Sequence, residues 1–310
     1  MNMTPVYSQM GLLFFSVLLG FLSAKTRVSD ERTNSVISNI VMDITLPCTV
    51  LYSSLNSERL LNNTDLLYLL GYSLITIAIL VLESKLISFV LRLNGQYKSI
   101  SEFEVIFSNS AFVGYPLMRL MFGQDSIFYA ALITMVFTVF CNSYGISLLQ
   151  PKEAKENLKL KSLATPVLLS SVIAVIIYVF KIRIPQYSLN LLAYVDQITG
   201  PLSMMMVGIS MAFAMKKFSK GSAKICISVL LRMLTAPLII LFVLPLFGAN
   251  EYITAIMAII VSLPSAVSTT MFCAKYGSDQ EAASTGIVVS TIASAIIVPL
   301  IYQMIMAYSY

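Results

Sequence analysis

Two short stretches hold residue types able to do chemistry inside an otherwise apolar chain. The first is Phe107-Ser108-Asn109-Ser110-Ala111-Phe112-Val113-Gly114-Tyr115-Pro116-Leu117, and the second is Ser262-Leu263-Pro264-Ser265, followed by Ser268, Thr269 and Thr270. A proline removes one helical N–H and blocks the carbonyl four residues back. Each stretch therefore reads as a broken helix. At membrane depth such a break is tolerated only where the freed backbone faces protein, water or ligand. The half-helix after a break presents N–H groups and partial positive charge, a setting that suits an anion such as a carboxylate.

Asn109, Ser110, Ser262 and Ser265 would add side-chain hydrogen bonds, and Gly114 would allow close backbone approach. Asn109 precedes Pro116 by seven residues, two helical turns, so in a helix the two share a face. Its amide either contacts substrate or ties two helices together. Ser265, directly after Pro264, reads as a substrate contact or as an N-cap. Asn142 interrupts another apolar run and either lines the same cavity or bonds a neighbouring helix. The candidate substrate residues are thus Asn109, Ser110, Gly114, Pro116, Ser262, Pro264, Ser265 and Asn142.

Asp43 and Asp196 are carboxylates within apolar runs, which makes them candidates for carrying a coupling proton or lining the substrate path. Glu83 and Arg232, also within apolar runs, are expected to pair with each other. Histidine is absent, and the four cysteines, Cys48, Cys141, Cys226 and Cys273, lie far apart with no CxxC. This excludes His-dependent nucleophile pairs, HExxH zinc sites and a histidine proton relay. It leaves no sequence case for an enzyme, a metal or another cofactor, and the cysteines read as small apolar residues.

The elements that hold these residues are membrane helices. Of 310 residues, 57% are hydrophobic and 11% charged, with mean hydropathy +0.84. A soluble domain runs nearer a quarter charged. Run length predicts an all-α polytopic membrane protein of ten spans, at about 5–24, 33–55, 66–90, 100–121, 126–149, 163–181, 188–215, 223–247, 252–274 and 281–307. The +5 net charge follows topology rather than nucleic acid. One set of alternate loops holds Lys25, Arg27, Arg32, Arg92, Lys98, Lys152, Lys155, Lys159, Lys161, Lys216, Lys217, Lys220, Lys224 and Lys275, whereas the other holds Arg59, Arg119, Lys181 and Arg183. Positive loops stay cytoplasmic, so both termini are expected outside the cytoplasm.

Five spans precede the central polar loop and five follow it, which inverts the second half. The expected organisation is a first repeat over 1–150, a short cytoplasmic linker over 151–162 and an inverted repeat over 163–310. Prolines support the pairing: Pro201 follows Pro47 by 154 residues, and Pro264 follows Pro116 by 148. In this arrangement the breaks in the fourth and ninth spans cross.

Asn109-Ser-Ala-Phe-Val-Gly114-Tyr-Pro116-Leu-Met resembles the fourth-helix motif of the auxin efflux carrier family, which includes plant PIN carriers and bacterial malate and malonate permeases. Ser262-Leu-Pro264-Ser-Ala-Val, with Phe272-Cys-Ala-Lys275-Tyr-Gly-Ser-Asp279, resembles its ninth-helix counterpart. The resemblance spans the whole chain. It implies a scaffold of spans 1, 2, 6 and 7, a transport unit of spans 3–5 and 8–10, and elevator-type transport of an organic anion across the cell membrane. It also implies a homodimer formed through the scaffold, a substrate-contacting amide at Asn109, and crossover prolines at Pro116 and Pro264. It leaves the coupling ion open. A proton is favoured over sodium, because the ninth-span neighbourhood offers hydroxyls and no acidic or amide ligands. Two alternatives remain at this stage: a bile-acid-type sodium symporter, and a membrane anion sensor that does not transport.

Overall fold

The structure, a computed structural model, describes residues 4–56, 63–150, 165–180, 182, 184–215 and 222–308. The linker expected over 151–162 lies outside them, as do Arg59, Lys161, Lys181, Arg183, Lys216, Lys217 and Lys220. Among the described residues every regular element is helical. In chain order these are α1 (Thr4–Lys25), α2 (Glu31–Ile40), α3 (Leu46–Asn56), α4 (Asn63–Val90), α5 (Gly95–Ile106), α6 (Tyr115–Phe122), α7 (Ser126–Phe140), α8 (Ile146–Leu149), α9 (Pro166–Phe180), α10 (Gln186–Ala214), α11 (Ala223–Leu246), α12 (Glu251–Ser262), α13 (Ser268–Tyr276) and α14 (Gln280–Tyr308).

Six helical runs are long and apolar enough to cross a membrane: Glu31–Asn56, Asp65–Val90, Ser126–Leu149, Gln186–Ala214, Ala223–Leu246 and Gln280–Ala307. Shorter apolar helices cover Gly11–Lys25, Pro166–Phe180 and Glu251–Ser262. Their outer faces are apolar: Phe89 and Leu246 are 81% and 83% exposed, which fits lipid as the surrounding solvent.

The prolines act less uniformly than their sequence positions imply. A π turn, Val41–Thr45, joins α2 to α3 just ahead of Pro47, and the Leu46 N–H donates to the Val41 carbonyl five residues back. The extra residue relieves the clash that a proline imposes, so the run stays continuous. Pro201 sits inside α10 and leaves the helix unbroken. A second π turn, Ser110–Gly114, leads into α6, which carries Pro116 in its first turn. A third, Cys141–Gly145, joins α7 to α8.

The chain divides into two compact units, each drawing on both sequence halves. Unit 1 comprises residues 1–67, 111–135 and 160–213, and unit 2 comprises 68–110, 136–159 and 214–310.

Unit 1 is held by close helix contacts. In α1, Gly20 meets the Met205 backbone of α10, while Gly208 of α10 meets the Val17 and Phe21 backbone. A Cβ at either glycine would overlap those atoms, so the two helices approach as small residues allow in membranes. Ala24, Ile209 and Ala212 extend this seam, with Phe21, Ile37 and Phe213 packed on it. Asn34 and Ser210 bond across it at 3.0 Å. α3 packs on α9, and Thr49 donates to Thr199 of α10 at 2.9 Å.

Unit 2 is built on α11, which packs against α5, α12 and α14. Small hydroxyls again join the helices: Ser101 of α5 donates to Ser228 of α11 at 2.8 Å, and both are buried. Tyr72 of α4 donates to the Phe247 carbonyl beyond α11 at 3.3 Å.

Candidate functional site

The two polar stretches cross within unit 2. α5 ends at Ile106, and Phe107 turns to extended backbone at φ −107°, ψ 113°. α12 ends at Ser262, and Leu263 is extended at φ −64°, ψ 158°. The two extended pieces pair antiparallel at Ser108 and Ser265. The Asn109 N–H donates to the Pro264 carbonyl at 2.8 Å, and the Ala266 N–H donates to the Phe107 carbonyl at 3.0 Å. The Ser108 hydroxyl donates to the Ile260 carbonyl at 2.9 Å. Backbone groups that each break frees are thus satisfied by the other break, as a buried backbone requires.

This geometry corrects the position of the fourth-span break. Sequence reading put it at Gly114-Tyr115-Pro116, with Asn109 two turns away on a continuous helix. The helix ends instead at Ile106, and Asn109 lies in the extended crossing strand. Gly114 and Pro116 belong to unit 1, where Pro116 lies about 3.8 Å from a Cβ built at Gly200 of α10. The ninth-span break falls where Pro264 predicts.

α5 and α12 both direct their C-terminal ends at the crossing, concentrating carbonyl oxygens and partial negative charge there. The answering group is Arg232 of α11, 1% exposed. Its guanidinium donates to the carbonyls of Val261 and Leu263, the latter at 2.8 Å. It also reaches the Glu104 carbonyl at 3.4 Å and the Ser265 hydroxyl at 3.5 Å. The planar fork suits such divergent acceptors better than an ammonium would. The expected Glu83–Arg232 ion pair does not form: the Glu83 carboxylate accepts from the Thr235 hydroxyl, while Arg232 donates to carbonyls.

The remaining candidates fall into three groups. Asn109 and Ser110 are buried at 5% and 7% exposure, and neither side chain hydrogen-bonds a described residue. Both are therefore available to a ligand. Ser262 and Ser265 are fully buried and occupied: Ser262 donates to Ile259 at 2.7 Å, and Ser265 donates to Glu104 at 3.2 Å. The N-cap position of α13 is Val267 rather than Ser265. Asn142 lies in the π turn after α7 and donates to the Thr138 carbonyl at 2.9 Å.

The two intramembrane aspartates differ from each other. Asp43 lies in the π turn ahead of α3 and is exposed. Asp196 is buried at 3% exposure and forms an ion pair with Arg119, both in unit 1.

Sequence reasoning passed over Glu104. It is fully buried, and neither carboxylate oxygen has a hydrogen-bond partner among the described residues. The available signal was position: Glu104 sits inside the predicted fourth span, where a carboxylate is functional by default.

Apolar spans, crossed broken helices and a free amide beside the crossing define a polytopic membrane protein built like a transporter. Residues 5–302 match the family model described as membrane transport protein, and the chain belongs to that family, the auxin efflux carrier family. It is 23% identical over 300 residues to an uncharacterized transporter of Methanocaldococcus jannaschii, covering 93% of this chain and 95% of that one. It is 26% identical over 299 residues to an uncharacterized transporter of Methanothermobacter thermautotrophicus, covering 92% and 93%.

Proposed function

We propose that this membrane transporter carries small organic anions, mono- or dicarboxylates of the malate and malonate type, by elevator-type alternating access. One observation carries the reading: beside the Ser108–Ser265 crossing, the side chains of Asn109 and Ser110, 5% and 7% exposed, hydrogen-bond no described residue. Buried polar groups are ordinarily satisfied, so a ligand is the natural partner. α13, which starts at Ser268 just after the break, has helix-terminal N–H groups and partial positive charge at that end.

The wider architecture in this reading is ten spans in two inverted five-helix repeats, with both termini outside the cytoplasm and the chain in the cell membrane. Unit 1 contains spans 1, 2, 6 and 7 together with residues 111–135 of spans 4 and 5, and in this reading it serves as the scaffold through which a homodimer forms. Unit 2 carries the crossing and moves. Two features support this assignment: unit 1 is locked by glycine-mediated backbone contact between α1 and α10, and the crossing lies entirely in unit 2.

Against a sodium symporter of the bile-acid type stands Arg232, whose guanidinium already takes the carbonyls freed at the end of α12. A mobile cation would need those oxygens.

Uptake of radiolabelled malate and malonate into proteoliposomes tests the function. Saturable uptake supports transport. Binding by thermal shift without flux would instead make the protein an anion sensor, and neither binding nor flux with any carboxylate would overturn the anion reading.

A further inference from the structure

Glu104 is a buried acid whose own carboxylate takes no part in the crossing. Its backbone carbonyl accepts from Ser265 and Arg232, yet both side-chain oxygens lack a hydrogen-bond partner among the described residues. The residue is fully buried, and its carboxylate lies against Gly286 of α14, where a Cβ would overlap it. Glycine at 286 therefore leaves just enough room for the acid.

The surrounding charges do not balance. Arg232 is 1% exposed, and the carboxylates acting on it are Glu83, at 7%, and Glu104, at 0%. One guanidinium faces two buried acids. An ionised carboxylate without hydrogen bonds in such an interior is costly, so one of the two must bind a cation when the cluster is sealed. Glu83 has the Thr235 hydroxyl to stabilise its charge. Glu104 has nothing.

The elements packed on α5 are α8, α11, α13 and α14. From α11 the groups acting on Glu104 are Arg232 and the thiol of Cys226; from α13 it is the thiol of Cys273. The other titratable groups on these helices include Lys224, Lys275, Tyr276, Glu281 and Tyr302, and the one charge acting on the Glu104 carboxylate is that of Arg232. Lys224 donates to the Arg92 carbonyl at 3.4 Å, Lys275 lies over the Tyr276 ring at 5.2 Å, and Glu281 and Tyr302 are on α14. α8 (Ile146–Leu149) carries none.

We infer that the Glu104 carboxylate is a proton-binding site of the transport unit, loading one proton from solution onto a carboxylate oxygen and releasing it on the opposite side of the membrane. This inference rests on the transport reading above. Protonation converts a net negative cluster to a neutral one, and the neutral cluster is the form that crosses at low cost. Asp196, paired with Arg119, is not needed for this step.

Two measurements on the full-length protein in liposomes test the inference. Infrared pH-difference spectra should show a protonated carboxyl band that is lost in Glu104→Gln and shifted in Glu104→Asp. Accumulation of radiolabelled malate should rise up to about tenfold for each pH unit of imposed gradient if one proton moves per anion. In Glu104→Gln that stimulation should vanish while malate counterflow persists. A gradient response retained in Glu104→Gln overturns the inference. So does an unchanged carboxyl band in the variants. If the wild-type protein moves no malate, the transport reading fails for this anion and the infrared band alone decides whether Glu104 binds a proton. A poorly folding glutamine variant leaves the Glu104→Asp band shift to decide it.

Discussion

Arg232 donates to the carbonyl of Leu263 at 2.8 Å, one residue before the proline that breaks the ninth span. A single side chain from α11 thereby holds the carbonyl-rich ends of both α5 and α12. Removing it leaves several buried acceptors without donors. Arg232→Leu should lower stability by ~3–5 kcal/mol, the usual cost of stripping one partner from a buried charged network. Arg232→Lys should recover part of this, since an ammonium keeps three donors but lacks the fork. Thermal unfolding followed by size-exclusion chromatography in detergent distinguishes the two variants. A Glu83→Arg/Arg232→Glu exchange should not restore folding, because the two side chains are not paired.

Asn109→Ala should weaken anion binding by ~1.5–3 kcal/mol, a loss of affinity of about ten- to 150-fold, the range of a hydrogen bond to a charged partner. Its side chain holds no described protein group, so expression and thermal stability should stay near wild type. Malate thermal-shift titration measures the first effect, and unfolding without ligand measures the second. Unchanged affinity would remove the amide from the site.

Gly208→Ala should destabilise unit 1. Its Cβ would overlap the Val17 carbonyl, backbone that cannot turn aside. Forcing α1 and α10 apart should cost ~1–3 kcal/mol, as overpacking does. Gly71→Ala is the control: nothing lies near a Cβ there, so it should be neutral or slightly stabilising through helix propensity. Comparing unfolding temperatures of the two variants checks the argument.

Asp196→Asn should leave Arg119 partly buried without its charge partner and lower stability. The exchange Arg119→Asp/Asp196→Arg should recover part of the loss. A double-mutant cycle on unfolding temperature gives the coupling. No coupling would mean that the ion pair contributes nothing to unit 1.

The N-terminus of α2 should loosen in acid. Asp30 is its N-cap, accepting from the Thr33 N–H at 2.7 Å and the Thr33 hydroxyl at 2.6 Å. The Thr33 side-chain and backbone hydrogen bonds hold the carboxyl below its ordinary value of 3.8. A depressed carboxyl stabilises the fold fully above the unfolded value, and that contribution is lost as pH falls through the lower folded one. Amide exchange at Thr33 should therefore speed up in that acid window, and Asp30→Ala should show the fast rate already at neutral pH.

The local chemistry of the breaks was readable in part. Pro264 marked its break correctly because no other device sits nearby. Pro116 misled, because the π turn over Ser110–Gly114 absorbs it, and the chain leaves the helix nine residues earlier, at Phe107. Nothing in a proline's identity tells which of these outcomes follows. Pro47 and Pro201 show the same ambiguity, each accommodated within a continuous helical run.

Sequence alone determined the solvent, the family and the two stretches that matter, because those depend on composition, run length and local motif. Long apolar runs have few physical solutions other than membrane helices. Tertiary structure decided which polar groups are satisfied. Ser265 bonds the Glu104 carbonyl, Arg232 bonds carbonyls rather than Glu83, Asp196 pairs with Arg119, and the Glu104 carboxylate is left alone against Gly286. These outcomes depend on which helices meet, at hydrogen-bonded separations from 29 to 161 residues along the chain, and hydrogen bonding is short-ranged and directional. No pattern within one helix specifies it.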